Sequence, residues 1–120
     1  MSERDDLLAV YGTLKAGQGG VERLGLTPKL RLLGPCRFKG RLLDLGDYPG
    51  AVKGEGVIEG ELCRILDAAA LPLLDRYEDV RHGLFVREKV PLLEPQKTAW
   101  VYWYNRPVTG HPVMESGNWR

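Results

Sequence analysis

"LDAAALPLLDRYEDV", Leu66 to Val80, is the one stretch of this 120-residue chain that reads as a good helix. At about 3.6 residues per turn, Leu71, Leu74 and Glu78 share a face, and Ala70, Leu73 and Tyr77 line its flank. Asp75, Arg76 and Asp79 fall elsewhere. Asp67 suits an N-cap, but Pro72 costs a hydrogen bond if it lies past the first turn. A start near Ala69 or Ala70 is therefore expected. Glu78 then lies beside an apolar stripe at the helix C-terminus. Desolvation and the negative end of the helix dipole both disfavour a charged carboxylate there. A carboxyl pushed towards neutrality suits a general base working near pH 7. The competing reading turns Glu78 out to solvent, or pairs it with Arg76, Arg81 or Arg87.

Outward from this helix the chain is strand-like. Leu7–Tyr11, Leu30–Phe38, Gly40–Leu45, Val57–Leu66, Leu84–Leu93 and Thr98–Tyr104 are rich in aliphatic or aromatic residues and bounded by Gly, Pro or Asp. "GDYPG" (Gly46–Gly50) reads as a turn in which Pro49 fixes φ and Gly50 permits a positive one, and "GEG" (Gly54–Gly56) as another. Many strands with one substantial helix predict an α+β fold: a small, mixed, β-barrel-like sheet with the helix packed on it. Residues 1–120 suit a single domain.

Composition narrows the function. The 17 Lys plus Arg against 16 Asp plus Glu argue against a chain built mainly to grip nucleic acid or an acidic membrane. The local excess of Lys29, Arg31, Arg37, Lys39 and Arg41 is expected to alternate outward into solvent, with a phosphate-binding strip as the alternative. Cys36 and Cys63 are too few and too far apart for a disulfide framework, and read as small buried residues in a reducing compartment. "MSERDD" is unlike a signal peptide, and no apolar run approaches the roughly 20 residues a membrane span needs. A cytoplasmic protein is expected. His82 and His111 share no ligand spacing, so no metal site is expected. Glu88 reads as a surface charge, and at least one of Glu59 and Glu61 should face solvent.

The first strand runs into "VYGTLKAGQGG" (Val10–Gly20). Glycine-rich turns of this kind bring backbone N–H groups close to a ligand. The ending "GQGG" lacks the Gly-Lys-Ser/Thr of a phosphate-binding loop.

Taken in order, several segments carry a family likeness. They are "VYGTLKAGQ" (Val10–Gln18), "GRLLDLGDYPGAV" (Gly40–Val52), "VIEGELCRI" (Val57–Ile65), "LDRYEDV" (Leu74–Val80), "FVREKVPL" (Phe85–Leu92), "AWVYWY" (Ala99–Tyr104) and "SGNW" (Ser116–Trp119). The chain resembles the γ-glutamylcyclotransferase-like family, in its γ-glutamylamine cyclotransferase branch. It departs where that family has Tyr at Phe85, an aromatic at Cys63, Asp at Asn118 and often Gly at Asp79.

The resemblance implies an internal cyclisation. The α-amine of a γ-glutamyl unit attacks its own γ-amide carbonyl, giving 5-oxoproline and a free amine. It implies Glu78 as the catalytic residue, taking a proton from the α-ammonium and returning one to the leaving amine. It implies Gly12 as the turn that lets amides around Thr13 and Leu14 meet the substrate carboxylate and the developing oxyanion, with Tyr11 and Leu14 as pocket wall. The ordinary alternatives are a core aromatic for Tyr11, a turn hydroxyl for Thr13 and a core plug for Leu14. Trp100, Tyr102 and Tyr104 share a strand face that core packing mostly explains, with one tyrosine as a candidate substrate contact. No cofactor is called for, and the partner is a small γ-glutamyl molecule, not nucleic acid or membrane. Oligomeric state leaves no trace in the sequence. Two other classes compete: a non-catalytic module binding an amino acid or peptide on the same scaffold, and an oligonucleotide-binding barrel using the basic strip.

Overall fold

The central strand explains the architecture. In β1 (Leu7–Val10) every residue is buried, because Leu7 and Ala9 enter one apolar cluster while Leu8 and Val10 enter another on the opposite face of the sheet. A strand covered on both faces needs apolar residues without alternation, and "LLAV" supplies them. The computed structural model describes residues 6–11, 29–46, 49–78, 81, 83–107 and 110–114. β2 (Leu30–Asp44), β3 (Pro49–Ile65), helix α1 (Ala70–Tyr77), β4 (Phe85–Pro91), β5 (Thr98–Tyr104) and β6 (Val113–Met114) follow β1.

The strands form one mixed sheet in the order β4-β5-β1-β3-β2-β6. β1 and β5 run parallel at Leu8 and Trp100, and β3 and β5 at Ala51 and Trp103. The remaining pairs are antiparallel. The mixed sheet with its packed helix matches expectation, but the sheet does not close into a barrel. Its edges are β4, which pairs with β5, and the two-residue β6.

Two further expectations are corrected. Leu30–Phe38 and Gly40–Leu45 are one strand, β2, and "GEG" does not reverse the chain. Lys39 pairs with Val57 and Arg41 with Val52, so residues 53–56 of β3 bulge out opposite Gly40. A Cβ at Gly40 would sit 2.8 Å from the Val52 carbonyl oxygen, so glycine lets the two long strands stay paired across the bulge. The turn expected at Gly46–Gly50 is shorter: Pro49 and Gly50 already belong to β3, paired with Asp44 and Leu43, and the positive φ falls on Gly46 (105°), not Gly50. The Gly46 N–H donates to Asp44 Oδ1 at 2.8 Å.

Helix α1 begins where Pro72 requires. Pro72 is its third residue, in the first turn, where a missing N–H costs nothing. The N-cap is Ala69, not Asp67. Asp67 lies two residues upstream, its Oδ1 accepting from the Ala69 N–H at 2.9 Å. Ala70 and Leu74 of α1 are fully buried and pack with Leu8, Val10, Phe85 and Tyr102.

Arg31, Arg37, Lys39 and Arg41 of β2 are exposed and alternate with buried Cys36, Phe38 and Leu42, as expected of a solvated face. Arg37 lies near Glu59 and Glu94, and Lys29 near Asp67. Cys36 and Cys63 are free and buried, and burial pushes their thiols up to about 12 and about 11. Among the described residues no helix is long and apolar enough to cross a membrane.

Candidate active site

β1 stops at Val10, and the site is built around its end. β5 lies beside β1 at Trp100 and beside β3 at Trp103. Tyr11, the first residue past β1, is 7 % exposed and fills the seam with its side chain. Its hydroxyl donates to the Tyr102 carbonyl oxygen at 2.6 Å and accepts from the Ala51 N–H at 3.1 Å. One phenol thus satisfies a buried backbone donor on β3 and a buried acceptor on β5. β3 crosses the same place through Gly60. A Cβ there would lie 2.4 Å from the Val10 carbonyl oxygen, so only glycine lets β3 pass so close to the tip of β1.

Helix α1 brings its end to this seam. Glu78 is the C-cap residue, and its N–H donates to the Leu74 carbonyl oxygen at 2.8 Å. Its side chain is partly buried, and desolvation pushes the carboxyl from the ordinary 4.5 up to about 7. Its charge is felt by two phenols. Tyr11 is pushed well above the usual tyrosine range by burial and then by Glu78. Tyr102 is raised by burial, by its bond to Asp75 and also by Glu78. Both hydroxyls therefore stay protonated while Glu78 titrates.

Asp75, one turn before Glu78, is engaged differently. Arg87 Nε donates to Asp75 Oδ1 at 2.9 Å and Arg87 Nη2 to Oδ2 at 3.0 Å. The Tyr102 hydroxyl donates to Oδ1 at 2.6 Å. The Arg87 guanidinium also lies over the Trp100 ring, 4.4 Å from its centroid. Arg87, one of three cations weighed as partners for Glu78, is thus bound to Asp75. Arg76 and Arg81 are exposed. Among the described residues none forms an ion pair with Glu78.

Of the residues read from the sequence, the structure brings Tyr11 and Glu78 together. Gly12, Thr13 and Leu14 lie outside the described residues. Tyr11 sits as a core aromatic whose hydroxyl is already committed. Tyr102, from the Trp100–Tyr104 face, donates its hydroxyl to Asp75 and feels the charge of Glu78. The sequence reading missed the roles of Asp75 and Arg87, since no spacing links a helix acid to an arginine on a later strand. Phe85, where the family has Tyr, is 3 % exposed and packs edge-on to Tyr104 with centroids 5.6 Å apart. The other departures divide between buried Cys63 and positions 79 and 118, which lie outside the described residues.

Comparison with known proteins places the fold and the family. A family model described as "Gamma-glutamyl cyclotransferase, AIG2-like" matches residues 8–120. The gamma-glutamylcyclotransferase family protein ytfP of Citrobacter rodentium is 42% identical over 111 residues, covering 92% of this chain and 91% of that protein. The solution structure of ytfP from Escherichia coli superposes with a TM-score of 0.73 at 39% identity, covering 94% of this chain and 95% of that one. The crystal structure of an AIG2-like protein from Mus musculus gives the same TM-score at 25% identity, covering 92% and 86%. With an open mixed sheet, a helix packed on it and a match along nearly its whole length, this chain belongs to the gamma-glutamyl cyclotransferase, AIG2-like family.

Proposed function

We propose that the protein is a γ-glutamyl cyclotransferase that converts a γ-glutamyl amine to 5-oxoproline and the free amine, with Glu78 as its general acid and base. The observation that carries the reading is the Glu78 carboxyl, partly buried at the helix end and pushed up to about 7. The α-nitrogen of the substrate is an ammonium at neutral pH and attacks only after losing a proton. Glu78 takes that proton, the nitrogen bonds to the γ-carbonyl carbon, and the tetrahedral centre collapses by breaking its bond to the leaving nitrogen. The leaving nitrogen receives the proton from Glu78, and the ring nitrogen gives its second proton to the carboxylate so regenerated, which passes it to solvent as the neutral lactam forms. A single carboxyl with an affinity near neutrality serves both steps, because neither transfer is then far uphill. Nucleophile and electrophile belong to one molecule, so the enzyme's remaining tasks are to fold the chain and stabilise the oxyanion. Backbone amides at Gly12, Thr13 and Leu14 are proposed for the second task, following the family motif, and Tyr11 and Leu14 for the wall around the substrate. No cofactor enters this scheme.

The test is a panel of γ-glutamyl amines and peptides assayed for 5-oxoproline. At least one member is expected to react, and Glu78→Gln is expected to reduce kcat by about 100-fold or more while the substrate still binds. A Gln variant as fast as the parent would remove Glu78 from the mechanism. Binding of γ-glutamyl compounds with no turnover of any would instead favour a non-catalytic module.

A further inference from the structure

Asp75 and Arg87 have no part in the proton transfers described above, yet they make the most developed polar contact near Glu78. The carboxylate of Asp75 accepts both arms of the Arg87 fork and the Tyr102 hydroxyl. The pair is largely shielded, with side-chain exposures of 23% for Arg87 and 28% for Asp75. This contact joins the last turn of α1 to β4 and β5. Tyr102 continues it inward, because its carbonyl oxygen receives the Tyr11 hydroxyl, which in turn holds the Ala51 N–H. Glu78 lies three residues beyond Asp75, and its charge is felt by both Tyr11 and Tyr102.

We propose that Asp75, Arg87 and the Tyr102 hydroxyl form a clamp that positions Glu78, and that by neutralising each other Asp75 and Arg87 leave Glu78 as the acid without an ion pair among the described residues. Arg87 is then a positioning residue for the cyclisation, and this part of the inference rests on the cyclotransferase reading. The geometry gives the clamp its function. A carboxylate at a helix C-terminus is disfavoured by the dipole, so an unpartnered Asp75 would loosen the turn that carries Glu78. A bidentate arginine holds that turn in position as well as in charge. The electrostatics agree. The Glu78 carboxyl is raised by burial, while Tyr102 feels Asp75 and Arg87 in opposite senses. Among the described residues, the ionisable groups that face Glu78 are Tyr11 past β1 and Tyr102 on β5. Arg87 on β4 stands behind Asp75, and Arg76 on α1 is exposed.

A purely structural role for the ion pair and a charge-balancing role make different predictions. Asp75→Asn leaves an unpaired guanidinium, which favours ionised Glu78. Arg87→Gln leaves an unpaired carboxylate, which disfavours it. The two variants break the same contact, so a structural role moves Glu78 the same way in both. The experiment is a pH titration of the Glu78 side-chain carboxyl by carbon-detected NMR on glutamate-labelled protein, its signal assigned by its loss in Glu78→Gln. Asp75→Asn is expected to lower the midpoint and Arg87→Gln to raise it, each by about half a unit or more, and the double variant to return towards the parent. Arg87→Lys keeps the charge but loses the fork, so its midpoint is expected to stay with the parent while kcat falls and KM holds. If Arg87→Gln does not fold, Asp75→Asn and Arg87→Lys carry the test by themselves. Midpoints that move in the same direction, or do not move, overturn the clamp. The titration needs no turnover. A parent that releases no 5-oxoproline therefore removes the cyclotransferase reading and leaves the charge balance to be decided separately.

Discussion

The phenol of Tyr11 stands in for backbone that β1 cannot supply. It serves the Ala51 N–H and the Tyr102 carbonyl oxygen at once. Replacing Tyr11 with Phe keeps the ring packed near Phe38 but leaves two buried polar groups without a partner. A loss of about 2–3 kcal/mol is expected in chemical denaturation, and a variant as stable as the parent would mean the seam is sealed some other way. Glu78 makes the opposite kind of contribution. Its folded-state affinity for protons exceeds that of the unfolded chain, since its carboxyl is raised from 4.5 to about 7. The native state therefore holds the proton more tightly, and stability falls as pH rises through that window. Glu78→Gln is free of this loss. Its melting temperature is expected to exceed the parent's at pH values above about 7, and the gap to close below about 4.5. The position of Glu78 near an apolar stripe was legible in the sequence from the spacing of Leu71 and Leu74. The fate of Arg87 was not, because Asp75 and Glu78 offer it the same charge from adjacent turns and only the strand's position decides between them.

At the scale of elements, the helix was the easiest to read and the long strands the hardest. Pro72 confines the start of α1 to within about one turn, and the observed start at Ala70 agrees with that limit. β2 and β3 defeated local reading because Gly40 and "GEG" carry turn signals. The structure uses them instead for a bulge within a continuous pair, something only the long-range pairing of Arg41 with Val52 determines. Gly60 is a further position that sequence alone leaves ambiguous. Its role comes from the Val10 carbonyl oxygen that β3 passes. Gly60→Ala is expected to cost about 2 kcal/mol or more, since the new methyl meets backbone that cannot rotate away. It should also perturb turnover, because the displaced strand is the one that closes over the tip of β1. An alanine variant with parental stability and kcat would show that this approach has slack.

Across the whole molecule, the proposed site lies where the sheet changes partners. β1 ends, β5 passes from β1 to β3, and the C-terminal end of the helix arrives over the same seam. The expectation of a mixed sheet with a helix on one face came from counting strands against a single helical period. The expectation of closure failed because β6 is only a two-residue strand and β4 pairs with β5 alone among the described strands. An open sheet still serves the proposed chemistry, which needs one dehydrated acid beside a fixed backbone edge and no enclosed barrel. The dependence of kcat/KM on pH, measured with a γ-glutamyl amine that the enzyme turns over, tests that claim most directly. The profile is expected to rise with pH to a midpoint near the Glu78 value of about 7, and Glu78→Gln to abolish that rise. A midpoint at the ordinary glutamate value of 4.5, or the same rise in the Gln variant, would contradict the account.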